Sequence, residues 1–468
     1  MRGCPIRAPA IPAAVLYPSR GAVNQVLRSF CLSSSLSRSS FSRSTTVAFL
    51  CCLLSLPLLA QPAAQAPVGL WDGVIQSRAG AVEFRIELQK QPDGTLQATL
   101  INATDHQPFS SADWHDGTLT LRMNYYDGTM TLRAVATGME GEYSRLTSKG
   151  MAHIPVALAP HRETTIGRPW TGPSLTGDWV FTWPTETGAE KTTRASFQQQ
   201  KDMNGPEQVA VTGTIQPVSG DTGLLHGDVS ALPEGKTHFH LSRFDGIHVL
   251  AIDGEFMPDG SLKGQQGGIK ALDDFTAVRA TSASTADPNA LAETLTHVKD
   301  PNEPFRFSGI DQAGKTLDQD SPEFKGKALI VDIMGTWCPN CHDEAPVLEK
   351  LYAKYHNVGL VVVGLSYEYV DDVSRNLKQI AIYREKFGIT FPLLLAGTTD
   401  AGQIAKTLPQ LVGFGAYPTS IFIDRDGHVR QILAGFTGPS TGEKYQEVQK
   451  RMDELAQEIV SSSASPGK

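Results

Sequence analysis

Two cysteines, Cys338 and Cys341, are separated by two residues and form a C-x-x-C motif. The apolar run 328–334 that precedes the motif predicts a buried strand, and the apolar spacing after it predicts a helix. Backbone N–H groups and the helix dipole favour an ionised sulfur at the first cysteine of such a motif. A thiolate attacks a disulfide, and a thiol one helical turn away can resolve the mixed disulfide. The motif therefore predicts thiol–disulfide exchange, with Cys338 as the nucleophile and Cys341 as the resolving thiol.

An acidic residue interrupts the apolar run before the motif. Asp332 lies in the predicted strand, behind the cysteine pair. A buried carboxylate at that place is a candidate acid/base that deprotonates Cys341. The alternative is a carboxylate that is only hydrogen-bonded in the core.

A C-x-x-C motif can also be half of a zinc site or a purely structural disulfide. The chain has no second cysteine pair outside its first 66 residues, and His342 and His356 do not complete a ligand set. A disulfide that closes so short a loop stabilises little. We therefore expect neither a metal nor a cofactor.

The chain as a whole has 468 residues and a formal net charge of −8. This length gives room for several domains, each with its own core. No long basic stretch is interleaved with aromatic residues, which argues against nucleic acid as a partner.

Residues 1–66 predict a signal or leader segment. No acidic residue precedes Asp72, arginines recur in a Ser-rich background, and the apolar run 47–60 leads to a small-residue site at 64–66. This order is typical of a secretory signal, and the run is short for a membrane span of about 20 residues. A wrongly assigned start codon, an organellar transit peptide and an uncleaved anchor that associates with a membrane are the alternatives.

Cysteine usage also favours export to the periplasm or cell envelope. The chain has 6 cysteines. Those in the predicted leader are Cys4, Cys31, Cys51 and Cys52. Cleavage after Ala66 leaves only Cys338 and Cys341, so no stray thiol remains to pair wrongly in an oxidising compartment.

The next region predicts an all-β, duplicated structure with modules at 68–160 and 173–281. Period-two alternation recurs, as in 82–88 and 119–123, and Asp-Gly or Asn-Gly turns separate the alternating segments. Segment 126–132 resembles segment 244–250, and Gly-x-Trp patterns begin both modules. Each module is long enough for a barrel or a sandwich, or both could close into one larger barrel.

Four side chains in this region are candidates for core or ligand-binding positions. Trp71 and Trp179 predict core positions near a barrel base rather than ligand-stacking sites. The His238-x-His240 pair points to one face of a strand, and we expect a surface pair because two histidines alone do not hold a metal.

Residues 282–300 predict a linker, because 281–289 is rich in Ser, Thr and Ala. A short helix is expected at 290–298. From 301 to 460 strand and helix patterns alternate, which predicts an α/β domain. The last helix is expected to be capped by Ser440 or Thr441. The fold class is thus multidomain, with a C-terminal α/β domain preceded by a duplicated all-β region.

The motif set of 302–460 resembles the thioredoxin superfamily, specifically its exported TlpA/ResA-like branch with redoxin-type features. The residues that carry the resemblance are Asp332, the segment 337–341, Pro346 in the following helix and Pro418 in Tyr417-Pro418-Thr419. The motif has Pro-Asn between its cysteines where thioredoxin has Gly-Pro.

The resemblance implies further site residues. It implies that Pro418 is cis and faces the cysteine pair, with a backbone edge free for an extended substrate strand. It places Trp337, Tyr417, Pro418 and Thr419 at the substrate-binding surface. Glu344 stands where ResA-like members carry a glutamate that is thought to tune protonation of the pair.

The leading hypothesis is an exported thiol–disulfide oxidoreductase, more specifically a reductase of protein disulfides that an upstream membrane or periplasmic thiol reductant recharges. One alternative is a redoxin-type thiol peroxidase, although the C-x-x-C motif departs from the single peroxidatic cysteine of such enzymes. Another is a binding protein in which the β region captures a ligand and the redox module is accessory.

Overall fold

The computed structural model describes residues 66–162, 169–186, 191–201, 208–281, 295–400 and 402–462. The predicted leader therefore lies almost wholly outside the described residues, as do the Asn204-Gly205 turn and most of the predicted linker. No helix within the described ranges has the length and apolarity that a membrane span requires.

The first β module closes into a barrel. Strand β2 pairs with both β1 and β3, and β9 pairs with both β1 and β8, so the sheet returns on itself, with β4 beside β3. Its strands are β1 Gly69–Ser77, β2 Gly80–Lys90, β3 Leu96–Asn102, β4 Asp105–Pro108, β5 Ser111–His115, β6 Thr118–Met123, β7 Gly128–Val135, β8 Gly138–Thr147 and β9 Gly150–Pro160. Alternate residues face the core: the odd–even burial of β6 follows its period-two sequence.

The second β module is a separate closed barrel, so the prediction of an all-β duplicated region is confirmed, while the option of one larger barrel is wrong. Its strands are β10 Gly177–Thr182, β11 Thr192–Gln199, β12 Gln208–Gln216, β13 Leu225–Ala231, β14 Thr237–Phe244, β15 Val249–Phe256, β16 Leu262–Gly267 and β17 Leu272–Arg279. Trp179 lies in its aromatic core, whereas Trp71 packs at the margin of the first core.

The two barrels share apolar and polar contacts. Phe244, the last residue of β14, and Ile247, in the turn that follows, belong to the apolar core of the first barrel. Asn102 Nδ2 donates to Phe244 O at 2.8 Å. His240, expected at the surface, is instead only 3% exposed, with a ring nitrogen 2.6 Å from Ala81 O. That expectation was wrong because this face of β14 packs against the first barrel.

The α/β domain contains a seven-stranded sheet with the order β20-β19-β23-β22-β21-β25-β26. Its strands are β19 Ser308–Ile310, β20 Thr316–Asp318, β21 Ala328–Met334, β22 Leu360–Glu368, β23 Leu393–Thr398, β25 Thr419–Ile423 and β26 Val429–Ala434; β18 His297–Val298 and β24 Leu411–Val412 form a separate pair. Its helices are α1 Pro339–Tyr355, α2 Val373–Phe387, α3 Gln403–Thr407 and α4 Glu443–Ser461.

Two local predictions in this domain differ from the structure. His297 and Val298 are a short strand paired with β24 rather than the end of a helix. Helix α4 has Gly442 as its N-cap, and Ser440 and Thr441 lie in the preceding 3-10 turn. The Ser440 hydroxyl instead donates to Asp221 of the second barrel, a tertiary contact that local capping preference does not reveal.

Candidate active site

The cysteine pair lies where the central strand of the sheet passes into a helix. Every residue of β21 is buried, between the parallel neighbour β22 and the antiparallel neighbour β25. Cys338 has extended backbone angles and is the N-cap of α1, and Pro339 occupies the first turn, where no N–H is needed. This arrangement presents the sulfur of Cys338 to the unpaired N–H groups of the helix start.

Both cysteines are free thiols and both are buried. Cys338 is 4% exposed and Cys341 is 1% exposed. The backbone N–H of Cys341 donates to Cys338 Sγ at 3.3 Å, and the Cys338 thiol donates to Tyr417 O at 3.5 Å. The second cysteine thus lies one helical turn beyond the first, as resolution of a mixed disulfide requires.

Aromatic side chains flank Cys338. The Trp337 indole donates to Tyr367 O at 2.9 Å and stacks on Tyr369 with a centroid distance of 4.7 Å. Tyr417 meets Trp337 edge-on at 5.1 Å. These contacts hold Trp337 beside the sulfur as part of a rigid apolar wall.

The loop before β25 supplies the other wall. The Tyr417–Pro418 peptide is cis, as the family resemblance implied, and Pro418 is buried. Thr419 is fully buried and its hydroxyl donates to Ala416 O at 2.8 Å, so its side chain holds the loop in shape. The Tyr417 carbonyl is thereby directed at Cys338.

Two carboxyl groups lie buried near the pair. Asp332 is 4% exposed and Glu344 is 2% exposed. Ser420, which faces Asp332 across the β21–β25 register, donates to Glu344 Oε1 at 2.9 Å. Among the described residues, Asp332 Oδ1 and Glu344 Oε2 have no hydrogen-bond partner. Buried carboxyl oxygens without a partner are costly as anions, so these groups favour holding a proton.

The protonation equilibria follow from this burial. Burial, and then the nearby Glu344 and Cys338, raise the pKa of Asp332 well above its ordinary value. Burial raises the pKa of Glu344 to about 8, although the Ser420 hydrogen bond opposes the change. Burial, and then the Cys338 sulfur and Asp332, raise the pKa of Cys341 well above that of a free thiol. Asp332, Glu344 and Cys341 therefore all favour their protonated forms in this buried site.

The segment before Cys338 is held by a residue that the sequence analysis missed. Glu368, at the end of β22, accepts from Thr336 N at 3.0 Å and from the Thr336 hydroxyl at 2.8 Å. Ser366 donates to the same carboxyl group at 2.6 Å. The only signal in the sequence was an acidic residue at the end of a largely apolar strand.

The first barrel contacts the active-site helix through His342. His342 Nε2 lies 2.8 Å from Thr336 O, and His342 Nδ1 lies 3.3 Å from Lys386 Nζ, both within hydrogen-bond distance. Lys386 Nζ also lies 3.4 Å from the centroid of the Tyr125 ring, which belongs to the first barrel. Burial lowers the pKa of Lys386 to about 8, and burial beside Lys386 lowers the pKa of His342 well below its ordinary value. His342 is therefore neutral, with one ring nitrogen donating and the other accepting.

The second barrel contacts the same helix on another side. Asp221, 4% exposed, accepts from Gly438 N at 2.9 Å, in the loop after β26. Burial, and then the negative charge of Asp221, raise the pKa of Asp343 to about 7, although Arg243 of the second barrel opposes the change. Residues of both barrels thus contact the first turns of α1, through Tyr126 with His342 and through Ser219 O with Asn340 Nδ2.

One group in the described residues has metal-ligand geometry, at the β25–β26 turn. It consists of Asp424, Asp426 and His428. Asp424 Oδ1 accepts from the backbone N–H of Asp426 and of His428, and Arg430 forms an ion pair with the same carboxylate. These contacts are those of a tight hairpin turn, which accounts for the cluster without a ligand.

Comparison with known proteins finds relatives of part of this chain. Residues 301–432 match the model of the AhpC/TSA family. Thiol-disulfide oxidoreductase ResA of Bacillus thuringiensis subsp. konkukian is 30% identical over 146 residues, which are 31% of this chain and 74% of that protein. ResA of Geobacillus thermodenitrificans is 29% identical over 113 residues, which are 24% of this chain and 58% of that protein.

Solved structures show similar matches. A thioredoxin family thiol:disulfide interchange protein from Chlorobium tepidum TLS has 24% identity and a TM-score of 0.27, covering 35% of this chain and 99% of that chain. A putative protein disulfide isomerase from Bacteroides thetaiotaomicron has 21% identity and a TM-score of 0.26, covering 35% of this chain and 92% of that chain.

Proposed function

Because the chain belongs to the ResA family of thiol–disulfide oxidoreductases, we propose that it is an exported enzyme that reduces protein disulfides. Cys338 is the nucleophile and Cys341 is the resolving thiol. The observation that carries this proposal is the position of Cys338 at the start of α1, with Cys341 N 3.3 Å from its sulfur. The helix start supplies a backbone N–H to the Cys338 sulfur, and the second thiol follows within one turn.

The reaction proceeds by two exchanges. The Cys338 thiolate attacks one sulfur of the substrate disulfide, the substrate S–S bond breaks, and the other substrate sulfur leaves as a thiolate that takes a proton. Cys341 then loses its proton and attacks Cys338 Sγ, which releases the second substrate thiol. The enzyme now holds a Cys338–Cys341 disulfide, and the substrate has gained two electrons and two protons.

Deprotonation of Cys341 is the step that the buried carboxyl groups assist. Asp332 and Glu344 both have raised pKa values and lie with the pair in a site that excludes water. An ionised carboxylate in such a site is a strong enough base to accept the thiol proton, because the low dielectric disfavours its charge. We assign Asp332 as the acid/base, with Glu344 tuning the protonation of the site.

Trp337, Tyr417 and Pro418 form the substrate surface in this proposal. They line the two sides of Cys338, and the Tyr417 carbonyl lies 3.5 Å from Cys338 Sγ. Thr419 contributes by holding the loop, through its bond to Ala416 O. An extended substrate segment that pairs with this loop would bring its own sulfur to Cys338.

Export rests on the sequence of residues 1–66 and on cysteine usage. The basic, apolar and small-residue segments follow in the order of a secretory signal. Cleavage after Ala66 would leave a protein whose only thiols are Cys338 and Cys341. We place the mature protein in the periplasm or cell envelope, where a membrane or periplasmic thiol reductant must return two electrons to the Cys338–Cys341 disulfide in each cycle.

A trapping experiment tests the proposal. In Cys341→Ser the first exchange proceeds but resolution does not, so a mixed disulfide should accumulate between Cys338 and a protein substrate. The matched control is Cys338→Ser, which should trap nothing. Equal trapping by both variants, or by neither, would refute the assignment. Consumption of peroxide by the purified wild type without protein disulfide reduction would favour the thiol peroxidase alternative.

A further inference from the structure

A loop of the second barrel lies against the redox domain beside Cys338. It joins β12 to β13 and comprises residues 217–223, and we call it the 217–223 loop. Val218 in this loop is 7% exposed and forms an apolar cluster with Ala416 and Ala434. Ala416 directly precedes Tyr417, so the contact reaches the loop whose carbonyl meets the Cys338 thiol.

The backbone of the 217–223 loop approaches two more parts of the redox domain. Asn340, between the cysteines, donates to Ser219 O at 3.5 Å. Gly220 forms a parallel β-bridge with Phe436, directly beyond β26. An added Cβ at Gly220 would lie 2.2 Å from Asn340 Nδ2 and 2.6 Å from Phe436 O. The fit therefore depends on a residue without a side chain.

Polar contacts fasten both ends of the loop. Asp221 accepts from Gly438 N at 2.9 Å and from the Ser440 hydroxyl. Gln216, the last residue of β12, accepts from Lys444 Nζ at 2.8 Å. Asp221 is 4% exposed, so its bonds are shielded from water and hold the loop in a defined position.

These contacts lie beside the Tyr417–Pro418 loop, with which an extended substrate pairs in the proposed function. We use the name substrate groove for the surface between Asn340, Ala416 and Phe436, which lies beside Cys338. Strand β26 is the edge strand of the seven-stranded sheet, and edges of this kind accept an added strand. The 217–223 loop forms its bridge to Phe436 two residues beyond the end of this strand, and Cys338 is only 4% exposed.

We propose that the 217–223 loop is a resident occupant of the substrate groove that determines which disulfides Cys338 can reduce. An extended protein segment needs the backbone edge that the loop covers, so it must displace the loop in order to react. A small disulfide needs only access to the sulfur. The inference rests on the proposed function, and it assigns to the second barrel a direct part in substrate selection.

Gly220→Ala is the variant that tests this inference, with Gly260→Ala as its matched control. Both glycines have positive φ and lie in the second barrel, but an added Cβ at Gly260 meets nothing within 4 Å. The added methyl at Gly220 should push the loop out of the substrate groove. Two thiol reagents are compared on reduced full-length protein in the Cys341→Ser background: iodoacetamide, and a maleimide carried on a long polyethylene glycol chain.

We expect Gly220→Ala to raise the rate of polymer–maleimide labelling of Cys338 about tenfold relative to iodoacetamide, since a destabilised local contact opens more often. Gly260→Ala should keep the wild-type ratio. An unchanged ratio in a folded Gly220→Ala protein overturns the inference. If Gly220→Ala does not fold, Val218→Ala provides the same comparison, because it only removes methyl groups from the contact with Ala416 and Ala434.

Hydrogen exchange tests displacement directly. In Cys341→Ser, Cys338 is placed in a mixed disulfide either with a protein substrate or with nitrothiobenzoate. Hydrogen exchange of the 217–223 amides should increase in the protein adduct and stay unchanged in the nitrothiobenzoate adduct. Equal exchange in the two adducts contradicts the inference while leaving the proposed function intact. Failure of Cys338 to form either adduct contradicts the proposed function instead.

Discussion

The ring of Tyr126 in the first barrel stacks on the ring of His342 in helix α1, with centroids 4.5 Å apart and an angle of 20° between the planes. His342 directly follows Cys341, so a side chain of the β region packs one residue from the resolving thiol. Tyr126 is 6% exposed, and Lys386 Nζ lies over the face of the adjacent Tyr125 ring. The β region is therefore part of the scaffold that holds the redox helix.

Truncation of this ring should destabilise the protein. We expect Tyr126→Ala to lower the free energy of unfolding by about 3–5 kcal/mol, because it deletes a buried aromatic side chain and leaves a cavity against His342. Urea unfolding of the full chain measures the change. Tyr126→Phe keeps the ring and should cost about 1 kcal/mol or less. If Tyr126→Ala is as stable as Tyr126→Phe, the stacking of Tyr126 on His342 does not contribute to the free energy of unfolding.

The contact between Tyr126 and His342 could not be predicted from the sequence, because it joins distant segments that neither periodicity nor a local motif links. The strand β21 could be predicted, since its continuous apolar run from 328 to 334 reports burial on both faces. Closure of each barrel could not, because it depends on pairings such as Trp71 with Pro160 between the ends of a module.

The candidate active site was likewise predicted only in part from the sequence. The positions of Cys338 and Cys341 at a helix start follow from spacing and from the preceding apolar strand. Glu368 was missed because its importance lies in its bonds to Thr336, which comes from another strand end. His240 was misplaced because alternation reveals a strand face but not the first barrel that covers it.

The role assigned to Asp332 predicts a defect in one step only. In Asp332→Asn the release of substrate by Cys341 should slow about a hundredfold, a typical loss for a general base. Acid quenching of a single turnover, followed by mass analysis of the mixed disulfide, measures this step. The control is alkylation of Cys338 by iodoacetamide in the same variant, which should stay near the wild-type rate. If Asp332→Asn releases substrate at the wild-type rate, Asp332 has only a structural role in the core.

Glu344 predicts a pH dependence of the same step. Its pKa is raised to about 8, mainly by burial, so the carboxyl group is protonated below that pH and ionised above it. Once ionised, it adds a base near Cys341, and release of substrate should accelerate as the pH rises through about 8. Glu344→Gln cannot ionise and should lose this acceleration. Single-turnover rates between about pH 6 and pH 9 make the comparison, and parallel profiles for both proteins would exclude Glu344.

Asp343 predicts a pH dependence of stability at the junction of the redox helix with the second barrel. Its pKa is raised from 3.8 to about 7, mainly by burial and then by Asp221. Between pH 3.8 and about pH 7 the folded protein keeps a proton on Asp343 that the unfolded chain has released. The contribution of Asp343 to stability is therefore complete below pH 3.8 and is lost as the pH rises through about 7.

Asp343→Asn does not titrate, so it should gain stability relative to the wild type as the pH rises from about 4 to about 7.5. Urea unfolding of both proteins across that range measures the difference in free energy at each pH. The control is Asp371→Asn, which changes an exposed aspartate of the same domain and should show a constant difference from the wild type. A constant difference for Asp343→Asn as well would mean that the carboxyl group is not destabilised where the barrel meets the helix. The contact through Asp221 would then hold the second barrel in place without strain on the redox helix.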